Sequence, residues 1–373
     1  MKSYRSKSRL VENQREYLIQ TENDIDHSLI SSVVFIDGVQ AEKVEFPHPE
    51  EYSQEQVISL VKRRHEEKKR EIENLLKAYR EVQQQHHPGM MFHLATAFHF
   101  KGFYPEARGL FLSVLKMNPN HHQALNSLCM TELALGDGKK AIEAGQAAIA
   151  ICPQYADYRN NLGNAYLSAG SCKDAVAEFE EAVRINLYYG DAYYNLGLAL
   201  IYNAIKQQDT SLFANVVSKS SDCFKKAVLI NPDYNTASFA EAVKILRSSD
   251  LEAAYARFCR IRDESKKKHQ HEQAAFHMMF VLHPDWISEQ VVGERIQFLQ
   301  DEINKNPGYV DMYPELSRCY LEKARMTWEK GMEQYRKAIE INPSLLTIGD
   351  CLEEAQTGYE GICKALEAIA GKG

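Results

Sequence analysis

The sequence lacks the motifs on which most enzymes and extracellular proteins depend. Its eight cysteines are scattered, with no CxxC pair and no spaced metal-ligand pair, so neither a disulfide framework nor a zinc site is indicated. The motifs GxxxxGK[ST], GxGxxG, GxSxG and HExxH are also absent. Paired carboxylates such as Glu180-Glu181 fall on outer faces of predicted helices. We therefore predict a protein that is not an enzyme and that binds no cofactor.

Long apolar runs and an excess of positive charge are missing too. No run approaches the roughly 18 apolar residues that a membrane helix needs, and the N-terminal sequence MKSYRSKSRLVENQREYLIQ has no apolar core of a secretory signal. The net charge of −7 argues against a nucleic-acid partner, because phosphate contacts need clustered Lys and Arg. We expect a soluble, reduced, cytoplasmic protein without membrane insertion.

What the sequence does contain is a period of 34 residues. Residues 156–187 read as two short amphipathic helices with a break at Ala169-Gly170. Three columns of residues keep this spacing in one register: Leu94, Leu128, Leu162 and Leu196; Gly102, Gly136 and Gly170; and Ala107, Ala141 and Ala175. A 34-residue period of helix–turn–helix units predicts an all-α solenoid, in which neighbouring repeats bury one another's apolar faces.

This pattern resembles the tetratricopeptide repeat (TPR) family over residues 88–343. The resemblance implies a right-handed superhelical solenoid of about seven helix-turn-helix repeats. The fourth repeat carries 11 extra residues near 202–213, which we expect to lengthen both of its helices and to project a tip. Such an insertion is either a binding surface or a neutral elaboration. A weaker fifth repeat follows at about 235–268, then a sixth at about 269–309 with a HisProAspTrp turn at 283–286, and a clearer seventh at 310–343; Asn306-Pro307 and Asn342-Pro343 are the helix ends of the last two. Residues 344–373 should form a capping helix.

Residues 1–52 form an N-terminal arm ahead of a long capping helix at 53–87. Residues 1–31 are polar and read as a solvated tail, or as an arm that orders on a partner. Residues 32–46 predict a small β-hairpin around Asp37-Gly38. Because an isolated hairpin is marginal in water, it should pack on the solenoid or pair with another chain. The protein-binding candidates in it are Val34, Phe35, Ile36, Val44 and Phe46. A capping box at Ser53-Gln54-Glu55-Gln56 begins the helix.

In tetratricopeptide repeat proteins the first helix of each repeat lines a concave groove. The resemblance places the following side chains there: Phe92, His93, Thr96, His99, Gln123, Asn126, Ser127, Met130, Asp157, Asn160, Asn161, Asn164, Asp191, Tyr194, Asn195 and Leu198. Asn161 and Asn195 precede Leu-Gly pairs, and their amides either hold the main chain of a bound peptide or are solvated. The central groove lacks Lys and Arg apart from Arg159, so a carboxylate clamp is not expected. A neutral to acidic groove suits a segment with a few basic residues.

Histidines are the remaining candidates for chemistry. Six lie near one end of the predicted groove: His86, His87, His93, His99, His121 and His122. A metal site would need fixed geometry and a carboxylate or thiolate companion, so we assign none. The resemblance instead implies a scaffold or adaptor that bridges a multiprotein complex through its groove and its N-terminal hairpin and helix. A peptide-sensing regulator and an accessory chaperone are the alternatives. The partners are one or more proteins, with self-association left open.

Overall fold

The computed structural model describes residues 4–24, 26–210, 215–279, 289–305, 312–341 and 346–372. It begins with a four-stranded antiparallel sheet in sequence order, formed by β1 (Arg5–Glu12), β2 (Arg15–Asp24), β3 (Leu29–Ile36) and β4 (Val39–Pro47). The predicted hairpin is therefore only the β3–β4 half of a larger sheet, and the prediction of a tail over residues 1–31 is wrong from Arg5 onward. The missed signal is the alternation of polar and partly buried residues along Arg5–Glu12 and Arg15–Asp24, joined by a turn at Asn13-Gln14.

One face of the sheet packs on the long helix α1 (Gln54–Gln85). Ile30 on β3 is fully buried against Val57 and Val61 of α1. The predicted capping box is confirmed: the Gln56 N–H donates to Ser53 Oγ at 3.3 Å, and the Ser53 N–H donates to Gln56 Oε1 at 2.8 Å. The helix ends at His86, which takes a left-handed conformation. The predicted long helix is therefore present, and it joins the sheet to the repeats.

Four regular helix pairs follow. They are α2 (Pro88–Phe100) with α3 (Tyr104–Met117), α4 (His122–Ala134) with α5 (Gly138–Ile151), α6 (Ala156–Ser168) with α7 (Cys172–Ile185), and α8 (Gly190–Lys206) with α9 (Val216–Ile230). The predicted helical repeat solenoid is confirmed. Within each pair the helices approach closely: a Cβ added at Gly163 would lie 2.7 Å from the Phe179 ring, and one at Gly197 would lie 2.9 Å from the Phe224 ring. Glycine in the first helix thus leaves room for the aromatic side chain of the second.

The insertion in the fourth repeat differs from its prediction. Helix α8 has 17 residues where α6 has 13, but α9 has 15 residues where α7 has 14. Only the first helix gains a turn. Gln208 then folds back over the preceding repeat, where its Oε1 accepts a hydrogen bond from the Cys172 N–H at 3.3 Å. The predicted projecting tip includes residues 211–213, which lie outside the described residues.

Helices of very unequal length replace regular repeats after α9. A short 3-10 turn (Pro232–Tyr234) leads to α10 (Ala237–Arg247), α11 (Leu251–Met279), α12 (Glu289–Lys305), α13 (Met312–Ile341) and α14 (Leu346–Lys372). The predicted helix pair of the seventh repeat is wrong, because α13 runs unbroken for 30 residues. Its centre consists of good helix formers, and a single Gly331 in open space does not end it. The predicted C-terminal capping helix corresponds to α14, which packs on α13.

Other predicted features of this region have mixed outcomes. The predicted start of the sixth repeat near residue 269 is wrong, because residues up to 279 continue α11. Helix α12 is a separate helix. The predicted ends at Asn306-Pro307 and Asn342-Pro343 and the turn at 283–286 lie outside the described residues.

The sheet is joined to the first repeat through a common core. Tyr17, Ile19, Val34 and Ile36 of the sheet belong to the same apolar cluster as residues of α1, α2 and α3. The Tyr17 hydroxyl donates to Glu106 Oε1 on α3 at 2.9 Å, and its ring stacks on Phe103. At the end of α2, the buried Lys101 ammonium contacts Glu42 of β4 at 3.1 Å and also Glu71 of α1. The sheet and α1 therefore cap the first repeat rather than forming a separate arm.

Candidate protein-binding groove

The inner faces of α2, α4, α6 and α8 lie side by side and form what we call the groove. Asparagine amides connect neighbouring repeats along it. The Asn161 amide donates to Asn126 Oδ1 at 3.0 Å, and the Asn195 amide donates to Asn160 Oδ1 at 2.8 Å. Asn164 bonds within its own helix, to the Asn160 carbonyl at 3.0 Å. The two asparagines predicted to hold a peptide thus also link successive repeats to each other.

The middle of the groove is polar and partly open. Asp157, Asn161 and Asn164 on α6, Asp191 on α8, and Met130 on α4 are all half-buried. Asp157 Oδ2 lies 3.5 Å from the Asn126 amide, and Asp191 Oδ1 accepts a hydrogen bond from the Tyr234 hydroxyl at 2.7 Å. Asn126, Asn160 and Asn195 lie deeper and are buried. The accessible part of the groove floor therefore carries two carboxylates and two amides.

The α8 end of the groove is filled by this chain's own helix α11. Tyr194 and Leu198, both predicted groove residues, are fully buried in one apolar cluster with Phe258 of α11. The Tyr194 hydroxyl donates to the Phe258 carbonyl at 2.9 Å. The Phe258 ring stacks on Phe224 with centroids 3.8 Å apart. These two predicted residues serve the internal packing of the fourth repeat and α11.

Helix α11 also reaches the opposite end of the groove, at α2. His277 Nδ1 lies 3.1 Å from His93 Nδ1, and the two imidazoles stack with centroids 5.4 Å apart. Phe92, His93 and Thr96 are consequently buried, with 8%, 3% and 5% of their surface exposed. The Thr96 hydroxyl donates to the Phe92 carbonyl of its own helix. The sequence did not reveal that α11 spans the groove, because residues 235–268 read as a weak repeat and residue 269 as the start of another.

The imidazoles at the α2 end are held neutral. Burial, with smaller contributions from the Arg318 and Arg295 guanidinium groups, lowers the pKa of His277 to about 3. Burial also lowers the pKa of His99 to about 4, and it holds the pKa of His93 well below its usual range. Among the described residues, no group of three or more His, Cys, Asp or Glu side chains could hold a metal ion. Burial thus lowers the pKa of four rings of the predicted histidine cluster, His93, His99, His121 and His122, whereas His86 is exposed.

The hairpin candidates have separate locations in the sheet. Val34 and Ile36 are buried in the core shared with the first repeat. Phe46 packs against Ile30 and lies 4.4 Å beneath the Arg64 guanidinium, and Val44 is half-buried beside Ser32 in the strand register. Only Phe35 lines the outer face, in a shallow concavity of about 600 Å³. Phe35 is thus the hairpin candidate best placed for an external contact.

Comparison with known proteins concerns the same repeats. The family model described as "Tetratricopeptide repeat" matches residues 92–156 and 160–206. Similar solved structures include MamA, with 24% identity over 46% of this chain and 95% of that chain and a TM-score of 0.32. Another is TTC0263, a thermophilic TPR protein of Thermus thermophilus, with 23% identity over 51% of this chain and 97% of that chain and a TM-score of 0.37.

No curated protein matches this chain. None of the helices in the described residues is both long enough and apolar enough to cross a membrane. The 34-residue spacing, the four observed helix pairs and the family match all concern the same segment. Residues 92–156 and 160–206, which match the tetratricopeptide repeat model, are thus the residues that fold as regular helix pairs.

Proposed function

We propose that this protein is a non-enzymatic scaffold or adaptor that joins protein subunits into a larger complex. One attachment surface is the middle of the groove, and the other is the outer face of the N-terminal sheet. The observation that carries the proposal is the row of half-exposed polar side chains at the groove centre, formed by Asp157, Asn161, Asn164 and Asp191. They stand on a rigid stack of helices, which is the arrangement that favours recognition of a protein segment.

The second surface differs in shape and charge. Phe35, Val33 and Ser31 form its floor, and Arg5, Glu22 and Lys43 lie around them. A mixed apolar and charged face of this kind suits a protein surface, since interfaces combine an apolar centre with a polar rim. Two unlike surfaces on one rigid body are what a bridging subunit requires.

We place the protein in a reducing compartment, with the cytoplasm as our proposal. All eight cysteines are free thiols. The buried Cys129 packs as a small core residue, and burial raises the pKa of its thiol to about 12, so it stays protonated and unreactive. Unpaired cysteines of this kind are typical of proteins that do not meet an oxidising environment.

Affinity purification at native abundance tests the scaffold. We expect fixed partners to co-purify stoichiometrically with the tagged wild-type chain. The double variant D157N/D191N removes both groove carboxylates. It should recover at least about threefold less partner, which is the effect expected when one charged contact is lost. The matched control D174N/D222N removes two exposed carboxylates from α7 and α9 and should recover the same amount as wild type.

Two results would contradict the proposal. One is a wild-type chain that runs as a monomer and retains no partner at native abundance. The other is equal partner recovery from D157N/D191N and wild type, which would remove the groove from the proposal. A third variant, Phe35→Asp, addresses the sheet surface in the same assay, since it places a charge at the floor of the concavity without altering the buried inner face.

A further inference from the structure

The concavity on the outer face of the N-terminal sheet has a buried hydroxyl at its floor. Strand β3 forms this floor with the alternate residues Leu29, Ser31, Val33 and Phe35. Ser31 is only 8% exposed, and its Oγ atom has no hydrogen-bond partner among the described residues. A buried hydroxyl without a partner destabilises a fold. Internal packing therefore gives no reason for a hydroxyl at this position, whereas a ligand that donates a hydrogen bond to it does.

Two carboxylates flank the Ser31 hydroxyl. Glu22 on β2 and Glu45 on β4 are both directly opposite Ser31 in the strand register, one on each side. Because neighbouring strands are about 4.8 Å apart, the two strands that carry these carboxylates are about 10 Å apart. The three side chains thus form a gap with a negative group on each side and a hydroxyl oxygen at the bottom.

Carboxylates outnumber cations around the concavity. The charged residues that line it are four carboxylates and two cations, so their formal charges sum to −2: Glu22, Asp24, Asp26, Glu45, Arg5 and Lys43. Arg5 forms an ion pair with Glu22, and Lys43 Nζ lies 2.6 Å from Glu45 Oε1. Both pairs are solvent-exposed, so they rearrange at little cost. A carboxylate accepts about four hydrogen bonds, so each has capacity for a second cation. The concavity therefore favours a positively charged ligand.

A guanidinium group matches the three acceptors of the gap. It has five N–H donors in one plane and no acceptor, so it can donate to Ser31 Oγ and to both flanking carboxylates at once. An ammonium group is a compact point charge with three donors and fits a gap between two strands less well. The residues before and after Ser31 on this face, Leu29 and Val33, are apolar. They are about 7 Å from Ser31 along the strand, which is also the spacing of alternate side chains in an extended ligand.

We propose that the outer face of the sheet binds an extended segment of a protein partner in which one arginine lies between two apolar residues, in the order apolar–any–Arg–any–apolar. Its guanidinium group lies above Ser31 and between Glu22 and Glu45. Its apolar side chains pack on Leu29 and Val33, and its backbone runs about 10 Å above β3, at the distance of two stacked sheets. The inference rests on the proposed scaffold function and adds the class of segment that its second surface recognises.

Variation of a peptide tests the site without altering the protein. The probe is a fluorescently labelled peptide of sequence GLSRSLG, added to the full-length wild-type chain and followed by anisotropy. Citrulline in place of arginine keeps the shape and removes the charge, and this peptide should bind at least about tenfold more weakly. Lysine at the same place should weaken binding at least about threefold, because it makes fewer directed hydrogen bonds. N-acetyl-arginine amide lacks the apolar neighbours and should bind at least about tenfold more weakly, measured by competition.

Variation of the protein tests the same contacts from the other side. Glu22→Gln should weaken binding of the arginine peptide at least about fivefold, because it removes one charged acceptor. The matched control is Glu16→Gln, which should bind as wild type does. Glu16 is also on β2 and pairs with Arg9 as Glu22 pairs with Arg5, but it is not among the residues that line the concavity.

Ser31→Ala separates binding from stability. It should weaken binding of the arginine peptide about threefold without lowering the thermal unfolding midpoint, because Ser31 Oγ makes no hydrogen bond within the part of the chain that the structure describes. Unchanged binding by this variant, or a lysine peptide that binds as tightly as the arginine peptide, would contradict the placement of a guanidinium group above Ser31.

Other outcomes overturn the inference as a whole. Equal affinity of the arginine and citrulline peptides, including no binding of either, does so, as does equal affinity of wild type and Glu22→Gln. If N-acetyl-arginine amide binds as tightly as the peptide, the ligand is a small molecule instead of a protein segment. Cellular partners whose recovery falls with Phe35→Asp but not with Glu22→Gln would refute this inference and leave the scaffold function standing. Specific peptide binding by a chain that retains no partner at native abundance would refute the scaffold function alone.

Discussion

The first repeat is contacted from two sides, and the two contacts differ in chemistry. On one side the sheet shares an apolar core with α2 and α3, and the Lys101 ammonium is enclosed by Glu42 and Glu71. On the groove side, the contacts between α11 and α2 include the neutral His93–His277 pair. The sheet contact therefore combines an apolar core with a buried charged centre, whereas the α11 contact includes two neutral imidazoles. Two contacts of different chemistry thus share one repeat.

Removing the buried cation should produce the largest effect. The carboxylates of Glu42 and Glu71 overcome the desolvation of Lys101 and raise its pKa, and in return Lys101 and Lys68 overcome burial and lower the pKa of Glu71 to about 2. Lys101→Met removes one of the cations that balance these two carboxylates, and we expect the free energy of unfolding to fall by about 3–5 kcal/mol. Urea denaturation measures it. Lys43→Met breaks an exposed pair with Glu45 and should cost less than about 0.5 kcal/mol. Similar losses of unfolding free energy in Lys101→Met and Lys43→Met would contradict the conclusion that the sheet and α1 cap the first repeat.

The turn glycines give the next effect. Gly102 and Gly136 occupy the same position in successive repeats, with φ of 80° and 81°. A Cβ at Gly102 would overlap the backbone carbonyl of Ala41 on β4, whereas a Cβ at Gly136 meets nothing within 4 Å. Gly136→Ala should therefore cost about 1 kcal/mol for left-handed strain alone. Gly102→Ala should cost about 2–3 kcal/mol, because β4 must also shift. Thermal unfolding of both variants measures this difference. Equal unfolding midpoints would contradict a close contact between Gly102 and β4.

Acidification should separate the two contacts. The pKa of His277 in the fold is about 3 against an ordinary 6.5, so its contribution to stability is complete above pH 6.5 and is lost as the pH falls below that value. The pKa of Glu71 is about 2 against an ordinary 4.5, so its contribution is lost only below pH 4.5. Between these two values the α11 contact weakens while the Lys101 contact keeps its charges, and other buried imidazoles such as His65, which contacts the sheet from α1, lose stability in the same range because burial lowers their pKa as well. We expect hydrogen exchange at 274–279, corrected for intrinsic rate, to rise about tenfold from pH 7 to pH 5.

The same experiment contains its control. Amides of α7 should keep their protection at pH 5, because that helix carries no histidine. His277→Gln cannot gain a proton and should lose most of the response at 274–279. A similar rise in α7 and in α11 would indicate general unfolding instead of the weakening of one contact.

Sequence periodicity predicted the regular part of the fold and little of what surrounds it. Leu162, Gly163 and Phe179 recur at fixed spacing because each repeat packs only on its neighbours, so local patterns determine the stack. The contact between His277 and His93 joins residues 184 positions apart and leaves no periodic signal. The same holds for Tyr194 and Phe258. The family resemblance identifies the residues that line the groove. Whether another part of the chain covers them depends on the tertiary structure, which the repeat pattern does not encode.

The smallest effect on stability, and the clearest test of the groove floor, is expected on α6, between the α2 and α8 ends of the groove. Asn161 is half-buried there, and its amide donates one hydrogen bond to Asn126. Asn161→Ala should cost only about 0.5–1 kcal/mol of unfolding free energy, because water can replace part of that bond. Partner recovery should fall by more than this, since a bound main chain would lose both a donor and an acceptor. Asn195 is 2% exposed, so Asn195→Ala should show the reverse balance, with a larger loss of stability than of binding. If Asn161→Ala retains its partner fully, the contact lies on the convex side or on the sheet instead of the groove floor.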